Sequence, residues 1–259
     1  MNKFNLPNSL ETIRKPFIIP GMYKRLGILS DLHIPYHSNN AIAIAFEQFL
    51  IDKVDSILLN GDIIDFYQLS SFMKDPRKRS VKYELDSVRE FLLSLKKTFS
   101  KAKIFFKKGN HETRYEKYLT LKAPELLGNT EFELEFLLKL HELNIDIIDD
   151  KTYIKAGGLS IFHGHELKMK SITVNPARTL YLKAKLSALC SHLHAVSQHS
   201  GRRIDGHIIG CWSTGHLAEE SPDYAPYNEW SHGFAEVLIE GKEFEVHNYK
   251  IINNRAFRT

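Results

Sequence analysis

What most limits the fold of this sequence is a series of short apolar runs, each of which stops at an aspartate, asparagine or histidine. Asp31 and His33 follow ILS, Asp62 follows LLNG, Asn110 and His111 follow FFKKG, His163 follows SIF, and His192 and His194 follow ALC. Short apolar runs bounded by Gly and polar residues read as buried strands. Between the first three lie residues 40–50 and 81–99, whose apolar positions recur at helical spacing. Strand alternates with helix, which implies a largely parallel central sheet covered by helices, with a ligand crevice at the carboxyl ends of the strands. The polar residues fall at those ends.

The rest of the chain reads as additions to this core. Residues 1–24 form a polar, proline-punctuated arm expected to wrap the core, with a short turn over residues 10–14, and residues 25–259 read as a single domain. Residues 112–145 are leucine-rich and helical around a break at Pro124 and Gly128, and are expected to be an insertion. From Ile145 short strands take over, with a Gly157-Gly158 turn; residues 175–186 are helical again. Residues 208–214, 233–240 and 243–252 give an antiparallel finish, the last two joined at Glu240-Gly241-Lys242. A length of 259 residues with 43% hydrophobic and 25% charged residues excludes a disordered or fibrous chain. No stretch approaches the roughly 20 apolar residues that cross a bilayer, and the first residues lack the apolar run of a signal peptide, so a cytoplasmic protein without a membrane partner is expected. Cys190 and Cys211 lie in apolar runs and read as reduced packing residues.

Asp or Asn alone is an ordinary turn residue, and a single His is most often structural. Five such positions in succession point instead to metal. Carboxylate oxygen, amide carbonyl and imidazole nitrogen together suit divalent first-row ions, whereas an all-thiolate set is absent. Two ions about 3.5 to 4 Å apart need about seven ligands, one of them a bridging carboxylate. Asp31, His33, Asp62, Asn110, His163, His192 and His194 supply that number.

In their order these blocks, Asp31-Leu32-His33, Gly61-Asp62-Ile63-Ile64-Asp65, Gly109-Asn110-His111-Glu112, His163 and Ser191-His192-Leu193-His194, resemble the calcineurin-like metallophosphoesterase superfamily, over roughly residues 26–252. The resemblance implies a layered α/β/β/α sandwich of mixed central sheets flanked by helices. It also implies two divalent ions, with Mn as the working assignment and Fe, Zn and Ni as alternatives. Asp31, His33 and His194 would hold one ion, Asn110, His163 and His192 the other, and Asp62 would bridge them. A hydroxide shared by the ions would attack phosphorus, His111 would protonate the leaving oxygen as general acid, and Asp65 would orient His111. Glu112 is a candidate for work behind the site. Two departures stand out. Ser191 occupies a position where the family usually has Gly, and Phe66 follows Asp65 where the protein-phosphatase branch has a phosphate-gripping Arg. Arg114 is the nearest alternative clamp for a phosphoester substrate, against a reading as a solvated arginine at a helix start.

Other histidines carry weaker expectations: His37, His165 and Glu166 at the rim or behind the ligands, His216 lining the site or structural, and His141, His199, His207, His232 and His247 structural or at the surface. Substrate is read from charge and aromatic placement. Net charge is +4, and basic residues cluster at Lys74, Arg77, Lys78, Arg79 and Lys82, at Lys107 and Lys108, at Lys168, Lys170, Arg178, Lys183 and Lys185, and at Arg202 and Arg203. Phe66, Tyr67, Phe72, Tyr115 and Tyr118 follow the motif loops. These features fit a phosphodiesterase or nuclease acting on nucleic acid or a nucleotide, which is the preferred reading. The competing readings are a phosphomonoesterase of proteins or small metabolites and a noncatalytic metal-stabilised scaffold. Oligomeric state is left open.

Overall fold

The computed structural model describes residues 3–259 apart from 72–74, 76, 78–79, 170–172 and 221–224. In chain order the strands and helices are β1 (Phe17–Ile18), β2 (Arg25–Leu29), α1 (Asn39–Asp52), β3 (Ser56–Asn60), α2 (Val81–Thr98), β4 (Lys103–Lys107), α3 (Glu112–Lys122), α4 (Leu134–Leu137), β5 (Ile145–Ile148), β6 (Ile154–Ala156), β7 (Leu159–Ile161), α5 (Pro176–Ala184), β8 (Ala188–Cys190), β9 (Ser197–Arg202), β10 (Ile208–Ser213), β11 (Gly233–Glu240), β12 (Glu243–Ile252) and β13 (Arg255–Arg258).

Two mixed sheets result, one in the order β13-β12-β11-β2-β3-β4-β5 and the other β1-β6-β7-β8-β10-β9. The parallel sheet expected from the alternation is β2 to β4, one part of the first sheet, which β5 extends in parallel. Its strands are apolar on both faces because both are covered. Leu29, Ile57, Leu59, Ile104 and Phe106 face α1 and α2, meeting Phe49, Val88, Leu92 and Leu95. Leu26, Ile28, Leu58 and Phe105 face the other way, onto Ile154, Leu159, Ile161 and Leu189 of the second sheet. Beyond that sheet α5 closes the last layer, with Ala177 and Leu180 against Ala188, Cys190 and Cys211. The layers are thus helix, sheet, sheet, helix. Both cysteines are free and buried.

The arm departs from expectation in part. Phe17 and Tyr23 pack edge-on against Phe105, and β1 joins the second sheet beside β6, but residues 3–16 are exposed except for Phe17's immediate neighbours and form no turn over 10–14. Residues 112–145 hold α3, two 3-10 turns at Pro124–Leu126 and Thr130–Phe132, and α4. The strand β9 was not foreseen: SQHSGR is polar, and as an edge strand it buries little.

Candidate metal centre

The expected site residues leave the strands at one end of the sandwich. Asp31, Asp62 and Asn110 follow β2, β3 and β4 of the first sheet; His163 follows β7 and His192 and His194 follow β8 of the second. The chain turns sharply at these points. Asp31, His33, Asp62, His192 and His194 all have left-handed backbone, with φ of 53°, 49°, 54°, 69° and 56°. Non-glycine residues rarely adopt it, and Asp, Asn and His do so most readily. In the last block the turn falls on His192, so Ser191 needs no glycine freedom; its Oγ accepts from Asn60 Nδ2 at 2.8 Å instead. Glycine is required where loops touch. A Cβ on Gly109 would lie 2.3 Å from Asp62 Oδ1, and one on Gly61, 2.5 Å from His163 Nδ1.

The seven residues converge in two groups. Ligand-capable atoms of Asp31, His33 and His194 lie within 4.8 Å of one another, as do those of Asp62, His163 and His192. Asn110 Oδ1 is 3.2 Å from His163 Nε2. In the first group His33 Nδ1 donates to Asp65 Oδ1 at 3.1 Å, which leaves Nε2, 3.3 Å from His194 Nε2, as the ring nitrogen open to an ion. Asp31 Oδ1, buried and lacking a hydrogen-bond partner among the described residues, is 3.3 Å from that same His194 nitrogen. In the second group His163 Nδ1 donates to the Asn60 carbonyl at 2.7 Å, so Nε2 is the ring nitrogen turned toward Asp62 Oδ2 at 3.3 Å. Atoms of this kind brought together inside a protein must share either protons or a cation.

Electrostatics agree. Burial opposes charge on His163, yet the Asp62 and Asp31 carboxylates drive its ring up to about 10, so this end of the site demands a positive charge that a divalent ion would supply in place of a proton. Burial and the neighbouring His163 push His192 down to about 4, leaving a neutral ring able to ligate. Burial raises Asp62, but His111 and His163 hold it well below the usual carboxylate range.

Behind the ligands, Glu112 is the residue whose task the sequence left vague. Its buried carboxylate accepts from the backbone N–H groups of Gly109 and Ile63 at 2.7 Å, Asp62 at 2.9 Å and Ile64 at 3.2 Å, and so staples the loops after β3 and β4 together. Asp62 Oδ1 in turn accepts from the His111 N–H at 2.9 Å. His111 Nδ1 lies 2.9 Å from the Asp65 carbonyl oxygen and 3.1 Å from Asp65 Oδ1, and its Nε2 is 3.7 Å from Asp62 Oδ2. Arg114 is less free than a solvated arginine: Nη1 donates to the Asp65 carbonyl at 2.8 Å and Nη2 to His111 Nε2 at 2.9 Å. Phe66 is buried and stacked on Tyr115, so neither ring reads as a stacking platform.

His216 is wholly buried with its ring stacked on His194, 5.1 Å between centroids, and burial with the His194 charge pushes it down to about 2. It backs the His194 ring. His165 and Glu166 lie behind His163, as half expected. His232 Nε2 donates to the Ala218 carbonyl, His199 packs on Tyr181 and His247 lies beside Glu245 and Glu236.

The basic clusters are largely taken up elsewhere. Lys107 is buried, Lys108 pairs with Asp149, Arg77 with Asp75 and Lys82 with Asp86. Lys185 precedes β8 and Arg202 pairs with Ile208 at the start of β10, the end of the second sheet remote from His192, roughly 20 Å away at strand rise. Lys74, Lys78, Arg79, Lys170 and Phe72 lie outside the described residues.

Fold, motif order and converging donors define a metallophosphoesterase, and residues 24–247 match the sequence model of the calcineurin-like phosphoesterase family; the chain belongs to that family of metal-dependent phosphoester hydrolases. The gene 54 protein of Mycobacterium phage D29 is 23% identical over 251 residues, covering 90% of this chain and 96% of the phage protein. Among solved structures, vacuolar protein sorting 29 from Cryptosporidium parvum shares the fold at a TM-score of 0.50 and 12% identity, covering 92% of this chain and 96% of its own. The Escherichia coli phosphoesterase Yfce is similar at a TM-score of 0.37 and 14% identity, over 82% of this chain and 87% of that one. No helix among the described residues is long and apolar enough to cross a membrane.

Proposed function

We propose that this chain is a two-metal phosphodiesterase acting on a nucleotide or nucleic-acid phosphodiester, in which Asp31, His33 and His194 hold one ion, Asn110, His163 and His192 the other, and Asp62 both. The observation that carries the metal centre is the convergence of ligand-capable atoms, His33 Nε2 on His194 Nε2 and His163 Nε2 on Asp62 Oδ2. A divalent pair of Mn type supplies Lewis acidity toward the phosphoryl oxygens and lowers the pKa of water at the site.

The chain's own groups do the rest. Asp65 holds His111 through Nδ1, which leaves Nε2, the acceptor of the Arg114 Nη2 contact, as the ring atom that would carry a proton to the leaving oxygen once Arg114 turns to the phosphate. Arg114, anchored through Nη1 with Nη2 beside Nε2, is the guanidinium that would take a phosphate oxygen, a partner its fork of N–H groups suits. The Glu112 staple keeps Asp62 and His111 in fixed relation, so no reorganisation is needed as charge develops.

Charge favours the diester. Asp31, Asp62 and Asp65 nearly neutralise two divalent ions, and Arg114 is the one further cation shown beside His111 among the described residues. A singly charged diester is better matched to that weak positive field than a doubly charged monoester. With Mn2+ added, kcat/KM for bis-p-nitrophenyl phosphate is expected to exceed that for p-nitrophenyl phosphate, and a short oligonucleotide to be cut. A faster monoester with an intact oligonucleotide would replace this reading by a phosphomonoesterase.

A further inference from the structure

Lys107 ends β4, three residues before Asn110, and is wholly buried. Its ammonium donates to the carbonyls of Asp150 at 2.8 Å, Thr152 at 3.0 Å and Asp149 at 3.3 Å, in the turn after β5, and lies 3.3 Å from Glu166 Oε1. Glu166 in turn grips the backbone around His163: Oε1 accepts from the His163 N–H at 3.1 Å and Oε2 from the Gly164 N–H at 2.6 Å. Gly164 has φ 130°, so the turn held by this carboxylate is one that side-chain-bearing residues avoid. His163 Nε2 comes back to within 3.2 Å of Asn110 Oδ1. A closed circuit results, from β4 through Lys107, Glu166 and His163 to Asn110 and back to β4. It joins the two sheets on one side of the site, and its hydrogen bonds reach none of Asp31, His33 or His194.

A buried ion pair is a costly way to fill space, since apolar residues of similar volume commonly serve stability as well or better. What this pair adds is geometry. We propose that Lys107 and Glu166 form a positioning clamp that sets the spacing of Asn110 and His163, and thereby the affinity of the ion those residues share, independently of the ion at Asp31, His33 and His194. The inference rests on the two-ion reading above.

The test is Lys107→Met combined with Glu166→Gln, which removes both charges but keeps one of the two side-chain oxygens that accept from the His163 and Gly164 N–H groups. Full-length parent and variant, stripped of metal, are titrated with Mn2+ by calorimetry, and the loaded proteins are compared by electron paramagnetic resonance. The expected result is two sites in the parent, and in the variant one site weakened at least tenfold with the other retained. The spin-coupled spectrum would give way to that of a single Mn2+, as in His192→Ala, while the metal-free melting temperature stays within a few degrees of the parent. Lys107→Arg, which keeps the charge, should restore the coupled spectrum. Parental affinity at both sites overturns the clamp, and so does equal weakening of both sites with a fall in metal-free melting temperature, the signature of a merely structural pair. Should the double variant not fold, Glu166→Gln alone must show the same selective weakening, and its absence overturns the proposal. A parent that takes up no Mn2+ overturns the metal-centre reading, and the clamp with it.

Discussion

Asp65 serves two histidines with one carboxylate: Oδ1 is 3.1 Å from His33 Nδ1 and 3.1 Å from His111 Nδ1. Burial opposes its charge, but the hydrogen bonds from His111 and His33 hold it well below the usual range. Its loss should therefore disturb metal and proton delivery together, whereas loss of His111 should disturb only the second. Asp65→Asn is expected to lower both Mn2+ affinity and activity by about 10- to 100-fold. His111→Gln should lower kcat on diesters with poor leaving groups by about 10²- to 10⁴-fold and leave metal content at the parental value. Metal analysis beside steady-state kinetics separates the two, and a His111→Gln protein that loses its ions would contradict the assigned roles. At this scale the ligand candidates were legible because each ends an apolar run. Glu112 and Glu166 were legible only as residues somewhere behind the ligands, and Lys107 only as a basic residue, because nothing in ETRY, FFKKG or HGHE announces that a charged side chain is folded inward onto backbone groups of a distant loop.

Helix α2 carries a second buried acid whose effect is on stability. Glu84 lies in its first turn, beyond the Ser80 cap, and is wholly buried against the loop that holds Asp65 and Phe66. Burial, then the Asp65 charge, raises it from 4.5 to about 7. Below pH 4.5 the carboxyl is neutral folded or unfolded and costs nothing. As pH rises toward 7 the unfolded chain gives up its proton first, so the folded state loses stability, and the loss is complete above pH 7. Glu84→Gln should thus gain on the parent between pH 5 and pH 8, by on the order of 2 kcal/mol. Denaturant unfolding at the two pH values checks this; a gap no wider at pH 8 than at pH 5 would contradict it. The helix itself was readable from its periodicity. The element that escaped was polar β9, which is a strand because β10 supplies its partners; β6, β7 and β8 were legible as short strands, but three residues are too few to show which sheet they join.

Across the whole molecule the site straddles the seam between the sheets. Asp31, His33, Asp62 and Asn110 come from the first sheet and His163, His192 and His194 from the second, so each ion in the proposed arrangement ties one sheet to the other. Metal at about a thousand times its Kd should stabilise the fold by about 4 kcal/mol. Adding EDTA is accordingly expected to lower the melting temperature by several degrees and Mn2+ to restore it, as differential scanning fluorimetry would record; an unmoved transition would argue against ions at the seam. Alternation of strand and helix foretold β2 to β4, but not that the crevice is walled by a second sheet, since that depends on where β6 to β10 fold back. The left-handed turns at Asp31, His33, Asp62, His192 and His194 bear on how such a chain can change. Backbone and coordination draw on the same short alphabet there, for the residues that tolerate positive φ are also the ones that bind hard or borderline cations. A descendant that abandoned catalysis would still be confined to nearly the same letters by the bends alone, so the spelling of these motifs can outlive the chemistry it first encoded.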